Sequence, residues 1–313
     1  MLRIIASAGG AVAAAAYCFG QVSDLKPPLY LVEPFTLEKV RQYADAGADL
    51  LGSKSPGYFW FCRAVGEAKP DIVKFLLEKG IRPNELTWVE MPMLFFLAYN
   101  SSKNSGDRVA VADLLLGAGA EINELLNKYS PTRTPFTGNA LHALAWFGDP
   151  ELAKYLIARG IKKDVLDANG QTALIKAFEP LRPTLGYGWT GQVSNDLMIR
   201  TLIECGCDPQ FPGIKPSKYS QYNSGVTALH IAAYLGRCDL VELMSKMKPY
   251  HDLITEAGQT PLHVAVLRRE NVQMVKLLLQ LGANRSVRDN NGETPLEIAM
   301  RKRFEEIETI LRG

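Results

Sequence analysis

Cys205-Gly206-Cys207, together with Cys238, is the grouping in this sequence that comes nearest to a metal or redox site. Zinc held by thiolates needs four ligands converging on one ion. Cys205 and Cys207 fall at the C-terminal end of one predicted helix, whereas Cys238 opens the next comparable one. With a rise of about 1.5 Å per residue, parallel neighbouring helices keep these sulfurs more than about ten ångströms apart. That distance excludes a shared ion, and it excludes a disulfide for the same reason. The four histidines are the other reactive candidates, and none has a nucleophile beside it. The sequence contains no G-x-S-x-G, no phosphate-cradling G-x-x-x-x-G-K-[ST] and no H-E-x-x-H. The expectation is a protein with no catalytic residues, no metal site and no cofactor.

A second set of side chains offers recognition instead of reaction. Tyr99, Trp146, Phe147, Tyr234, Leu235 and Arg268 recur at equivalent places along the chain, each just after a pair of small or apolar residues. Aromatic residues and arginine are the types enriched where protein interfaces concentrate their binding energy. Trp189 lies apart from this set, in a polar and glycine-containing stretch. What positions these residues is a repeated pair of helices.

The repeat is legible in short copies: Gly258-Gln259-Thr260-Pro261-Leu262-His263-Val264-Ala265, Gly292-Glu293-Thr294-Pro295-Leu296, Gly225-Val226-Thr227-Ala228-Leu229-His230, Gly170-Gln171-Thr172-Ala173-Leu174 and Asn139-Ala140-Leu141-His142. The marker positions 139, 172, 227, 260 and 294 are separated by 33, 55, 33 and 34 residues. Phe59 and Pro92 extend the register backward, again 33 apart. Each slot has a physical reason. Thr, or Asn139, accepts a hydrogen bond from an orphan N–H at a helix start. Pro261 and Pro295 stand at the first helical position, where a missing N–H costs nothing. The leucines face a core, and small residues such as Ala232-Ala233 let helices approach closely. A second helix carries apolar residues at helical spacing, as in Val275, Leu278 and Leu279. Glycine then ends it in the left-handed conformation, at Gly47, Gly80, Gly119, Gly160, Gly206 and Gly282. Lys248 replaces that glycine once, so a distorted connection is expected there.

These residues resemble the ankyrin repeat, with its 33-residue period and T-P-L-H-x-A motif. The resemblance runs from about residue 35 to the end. It implies an all-α solenoid of helix-turn-helix units joined by short β-hairpin loops, concave on the first-helix side. It also implies that His142, His230 and His263 tie one unit to the next by hydrogen bonds. Finally, it implies that Tyr99, Trp146, Phe147, Tyr234, Leu235 and Arg268 face the concave groove where such proteins hold partners. About seven repeats are expected over residues 55–313, behind a capping half-unit at 21–54 whose helix lies in Thr36–Asp49.

Insertions interrupt the array at 100–107, 124–136, 180–194 and 208–224. Loops of this length in compact arrays are commonly functional or disordered. Their aromatics, Tyr187, Trp189, Phe211, Tyr219 and Tyr222, either bind or cover local apolar surface.

Composition sets the remaining bounds. With 47% hydrophobic and 22% charged residues the chain is globular, and 35 basic against 33 acidic residues excludes nucleic-acid binding through a bulk basic charge. Residues 1–20 differ from everything after them. Arg3 is followed by thirteen uncharged residues, Ile4–Ala16, which is the layout of a secretory signal peptide. Cys18 admits a lipid anchor, and a plain N-terminal helix on a cytoplasmic protein is the alternative. The resulting expectation is an exported, periplasmic or envelope-associated bacterial protein, monomeric apart from a protein partner. Neutralising a toxin, as an immunity protein does, or protecting an enzyme in the envelope are its narrower forms. An envelope-anchored scaffold and an effector aimed at host proteins are the alternatives.

Overall fold

The computed structural model describes residues 34–51, 56–84, 91–100, 105–126, 137–178, 196–213 and 225–313. The expectations placed on residues 1–20, on the whole of the 180–194 insertion with Trp189, and on most of the 124–136 and 208–224 insertions lie outside the described residues.

A single helix, α1 (Leu37–Asp45), comes first. Pairs follow: α2 (Pro56–Gly66) and α3 (Pro70–Glu78), α4 (Met93–Tyr99) and α5 (Ser105–Gly117), α6 (Ala140–Phe147) and α7 (Pro150–Ala158). Then come α8 (Ala173–Ala177) and α9 (Asp196–Glu204), α10 (Ala228–Leu235) and α11 (Cys238–Met247), α12 (Pro261–Ala265) and α13 (Val272–Gln280), α14 (Pro295–Lys302) and α15 (Glu305–Arg312). None of the described helices is long and apolar enough to cross a membrane.

The chain forms two compact units, one ending at Lys162 and the other beginning at Lys163. In the first, α2, α4 and α6 stack on one another, and α1, α3, α5 and α7 make a second layer. In the second, α8, α10, α12 and α14 stack in the same way, as do α9, α11, α13 and α15. The marker leucines Leu141, Leu174, Leu229 and Leu262 are all buried, and so are Ala145, Ala177, Ala232, Ala233 and Ala265. Small residues on the first helices are what allow neighbouring backbones to approach closely. Thr172, Thr227, Thr260 and Thr294 each accept the backbone N–H three residues on, and Asn139 accepts that of Leu141. Thr36 caps α1 in the same manner.

The connections between units are short hairpin turns without extended strands: among the described residues the one β-bridge is the isolated antiparallel pair Leu126–Gly138. It closes the base of the 124–136 insertion. The 208–224 insertion is likewise closed at its base, by Gly213 N–H to Val226 O at 3.0 Å. The connection before α14 is a tight turn, where Asp289 N–H donates to Glu293 O at 2.9 Å and Asp289 Oδ1 accepts from Asn291 and Glu293 N–H, so the carboxylate reinforces the backbone pair. The 100–107 insertion ends in helix. Ser105, Gly106 and Asp107 form the first turn of α5. Ser and Gly read as loop, yet a first turn tolerates both, and Asp107 complements the positive end of the helix.

The distortion expected at Lys248 is present and local. Lys248 leaves α11 in an extended conformation, φ −146°, which is the backbone favoured before Pro249. Its ammonium pairs with Asp208 at 2.6 Å, and Gln210 donates to the Pro249 carbonyl at 2.6 Å.

Candidate functional site

In the first unit, the candidate residues cluster where two first helices end side by side. Tyr99 closes α4, while Trp146 and Phe147 close α6. The Tyr99 and Phe147 rings meet edge to face, 5.2 Å between centroids and 79° between planes, a geometry that aromatic quadrupoles favour. All three rings are half-buried. Burial pushes the Tyr99 hydroxyl above its ordinary value, so it stays protonated at neutral pH.

A buried ion pair fixes the floor of this cluster. Arg108, on α5, reaches Asp149 at 2.6 Å with both side chains almost fully excluded from water. The same guanidinium bonds the carbonyl of Asn100, which ends α4. Asp149 also caps α7, accepting from Leu152 N–H at 3.1 Å. Asn100, next to Tyr99, is turned inward and donates to Phe96 O at 2.7 Å. One network therefore holds the last turns of α4 and α6, and with them the aromatic ends.

In the second unit, Tyr234 and Leu235 close α10, and Arg268 follows α12. The Arg268 guanidinium lies 5.5 Å from the Tyr234 ring centre and is steadied by Glu270 through bonds of 2.8 and 2.6 Å. Leu235 is 40% exposed, a large aliphatic side chain facing water. Asn271 sets this arrangement: its amide donates to Ala233 O, Tyr234 O and Ala265 O at 3.0–3.2 Å. Gly236 makes room for it. A Cβ there would stand 2.5 Å from Asn271 Oδ1, and φ is +72°.

His230 and His263 are structural fasteners, as the resemblance implies. Thr227 N–H donates to His230 Nδ1 at 3.3 Å, while His230 Nε2 lies 3.1 Å from the carbonyls of Leu253 and Gln259. A carbonyl only accepts, so Nε2 carries the proton and Nδ1 is the acceptor. His263 repeats the pattern with Thr260 N–H at 3.1 Å and Glu293 O at 3.2 Å. Each ring thus ties its own helix start to the residue preceding the next cap. His142 accepts from Asn139 N–H at 3.2 Å. Burial raises the Cys207 thiol to about 12, which leaves it protonated and inert. Among the described residues no three metal-ligating side chains converge.

A recurring contact went unnoticed in the sequence. Asn84 Oδ1 accepts Glu121 N–H at 3.0 Å, Asn123 Oδ1 accepts Lys162 N–H at 2.7 Å, and Asp164 Oδ1 accepts Asp208 N–H at 2.9 Å. Asp252 Oδ2 accepts Asn284 N–H at 2.9 Å in the same sense. Three of these acceptors, Asn84, Asn123 and Asp164, stand four residues after a helix-ending glycine. That offset is the signal that would have found them.

Comparison with known proteins agrees with this architecture. A family model described as ankyrin repeats, in three copies, matches residues 229–312. Mouse (Mus musculus) Rabankyrin-5 is 32% identical over 110 residues, which is 34% of this chain and 9% of that protein. Human (Homo sapiens) ankyrin repeat and SOCS box protein 16 is 35% identical over 176 residues, 55% of this chain and 35% of that protein. The chain therefore spans a small part of these relatives' length. Among solved structures, the ankyrin repeat domain of Bcl-3 superposes with a TM-score of 0.60 at 20% identity, covering 81% of this chain and 97% of that one.

Proposed function

From a chain built of ankyrin repeats, we propose that its work is to bind another protein along the ends of its first helices, without catalysing a reaction. The observation that carries this reading is the group Tyr99, Trp146 and Phe147. Stacking of the units requires the Leu, Ala and Gly positions, but nothing in it requires aromatic rings at the ends of α4 and α6. Half-exposed rings on a rigid floor are what an interface uses for its anchors, because little side-chain freedom is left to lose on binding. Tyr234, Leu235 and Arg268 are the corresponding contact residues of the second unit. The site takes a macromolecular surface, with no cofactor and no metal.

The export reading is part of the same proposal and rests on Arg3 and the uncharged Ile4–Ala16 run. In its narrower form the protein sequesters a toxin or shields an enzyme in the cell envelope. Intact-mass analysis of native material separates the two compartments: loss of about sixteen to twenty N-terminal residues is expected for an exported chain.

The binding site is tested by capturing the partner from the native compartment, identifying it by mass spectrometry, and titrating it calorimetrically. Trp146→Ala is expected to weaken binding by at least about 2 kcal/mol, roughly thirtyfold, with folding retained. Trp189→Ala, in the 180–194 insertion, is the control. Normal binding by the first variant and failure by the second would move the site from the helix ends to the inserted loop.

A further inference from the structure

We propose that the second unit recognises an acidic, extended segment of its partner, anchored by one apolar side chain. The inference rests on the protein-binding reading above and names the partner's chemistry at one part of that surface.

Counting from the capping threonines Thr227, Thr260 and Thr294, equivalent positions form two rows. The first is Leu235, Arg268 and Lys302, and the second is Gly236, Arg269 and Arg303. The rows therefore begin with an exposed aliphatic side chain and run into four cations on two consecutive units. The helices that carry them, α10, α12 and α14, pack directly on one another. Among the described residues, Arg268 alone of the four has a carboxylate partner, Glu270. Arg269 and Arg303 are exposed and make no ion pair with any described carboxylate. Lys302 lies 5.8 Å from the Phe304 ring centre and likewise pairs with no described carboxylate. Glu305 and Glu306 follow closely in sequence, on α15, and neither reaches these cations within pairing distance.

Arg303 is a left-handed residue, φ +59°, in the slot that Gly148 and Gly236 occupy after α6 and α10. A side chain in that conformation costs free energy that glycine would avoid. Ala68 is left-handed in the equivalent slot after α2, φ +52°, so the fold admits a side chain there, and Arg303 uses the slot to present a guanidinium that pairs with no described carboxylate.

Spacing fixes the register of the occupant. Packed helices stand about 10 Å apart, and a chain extended as polyproline II advances about 3.1 Å per residue with three residues per turn, so every third side chain faces the same way. One unit therefore corresponds to three residues of ligand. An apolar residue seated on Tyr234 and Leu235 places the third residue beyond it at Arg268 and Arg269. The sixth falls at Lys302 and Arg303. Carboxylates at those two positions meet the cations.

The probe is a fluorescein-labelled dodecapeptide with one leucine and aspartates three and six residues along, measured by anisotropy against the full chain. Asparagine and lysine versions are the comparison peptides. The aspartate peptide is expected to bind about tenfold or more tighter than the asparagine one and to weaken steeply with salt. The double variant Arg269→Glu, Arg303→Glu is expected to lose about as much as the asparagine exchange does. Arg303→Gly should weaken binding while its thermal midpoint holds or rises, which separates lost recognition from lost folding. The proposal is overturned if the aspartate peptide does not bind at millimolar protein, or binds no better than the asparagine peptide. Equal binding by the double variant overturns it too. So does charge-dependent retention on phosphatidylserine vesicles without peptide binding, which would make the cations a lipid contact. A captured partner that needs Trp146 but ignores Arg269 and Arg303 leaves protein binding standing and removes this assignment alone.

Discussion

His230 shows how much a single buried side chain couples to its surroundings. Burial drives its imidazole from 6.5 down to about 4, outweighing the carbonyls of Gln259 and Leu253 that favour the charged form. Burial lowers His263 as well. Between those two values the unfolded chain takes up a proton that the folded one refuses, so stability rises with pH across that window. The contribution is complete above about pH 6.5 and is lost as pH falls toward 4, on the order of 3 kcal/mol for His230. Urea denaturation midpoints measured from pH 4 to 8 should show that slope, and His230→Ala should flatten it by up to one proton. An unchanged slope would mean the ring is not held neutral. The role of this histidine was legible through the resemblance to the ankyrin repeat, whose T-P-L-H motif places it three residues after the capping threonine. For the Asn84, Asn123 and Asp164 acceptors the sequence offers only their offset from a helix-ending glycine. Their partner is a backbone N–H about forty residues away, and a backbone donor leaves no mark on the residue type that carries it.

Helix termini carry most of the local specification. Threonine, proline and glycine gave a start or a stop for most of the described helices, since each acts on orphan groups within its own turn. Composition failed at Ser105-Gly106-Asp107, where loop-forming residues open α5, because tertiary anchoring by Arg108 outweighs their low propensity. The end of α13 isolates the cost of one such terminus. Gly282 has φ +93°, and an added Cβ would meet nothing within 4 Å. Gly282→Ala therefore introduces no clash, and the loss it causes is backbone strain alone. The expected cost is about 1–2 kcal/mol, read as a lowered denaturation midpoint with an unchanged denaturant slope. A variant as stable as the parent would show that the turn relaxes out of the left-handed region. By contrast, the aromatic floor around Arg108 and Asp149 could not be read ahead. The two charges are 41 residues apart in the chain and belong to consecutive repeats.

At the scale of the whole chain, stability is built from contacts between neighbouring helix pairs, as repeat arrays require. Each pair leaves an apolar face that only the next pair covers, so damage should spread along the chain by proximity and not uniformly. Leu262 is the place to test this. It is fully buried on α12, and α12 packs against α10, α13 and α14. Leu262→Ala is expected to cost about 2–5 kcal/mol, as core truncations do. Hydrogen exchange on that variant should then quicken first in α10–α15, all of which belong to the unit that begins at Lys163. Helices α2–α7 belong to the other unit and should exchange as before under mild conditions. Uniform acceleration from Val40 to Leu311 would instead mean that the chain unfolds as one cooperative body. A partner docked on Trp146 would then also steady Leu235 and Arg268 through the fold. Confined acceleration has the opposite consequence for binding. The two groups of contact residues would respond to ligands separately, and a Leu262→Ala chain should lose affinity for the acidic peptide while keeping the contacts made by Tyr99, Trp146 and Phe147. Measuring both affinities on the same variant decides between the two behaviours.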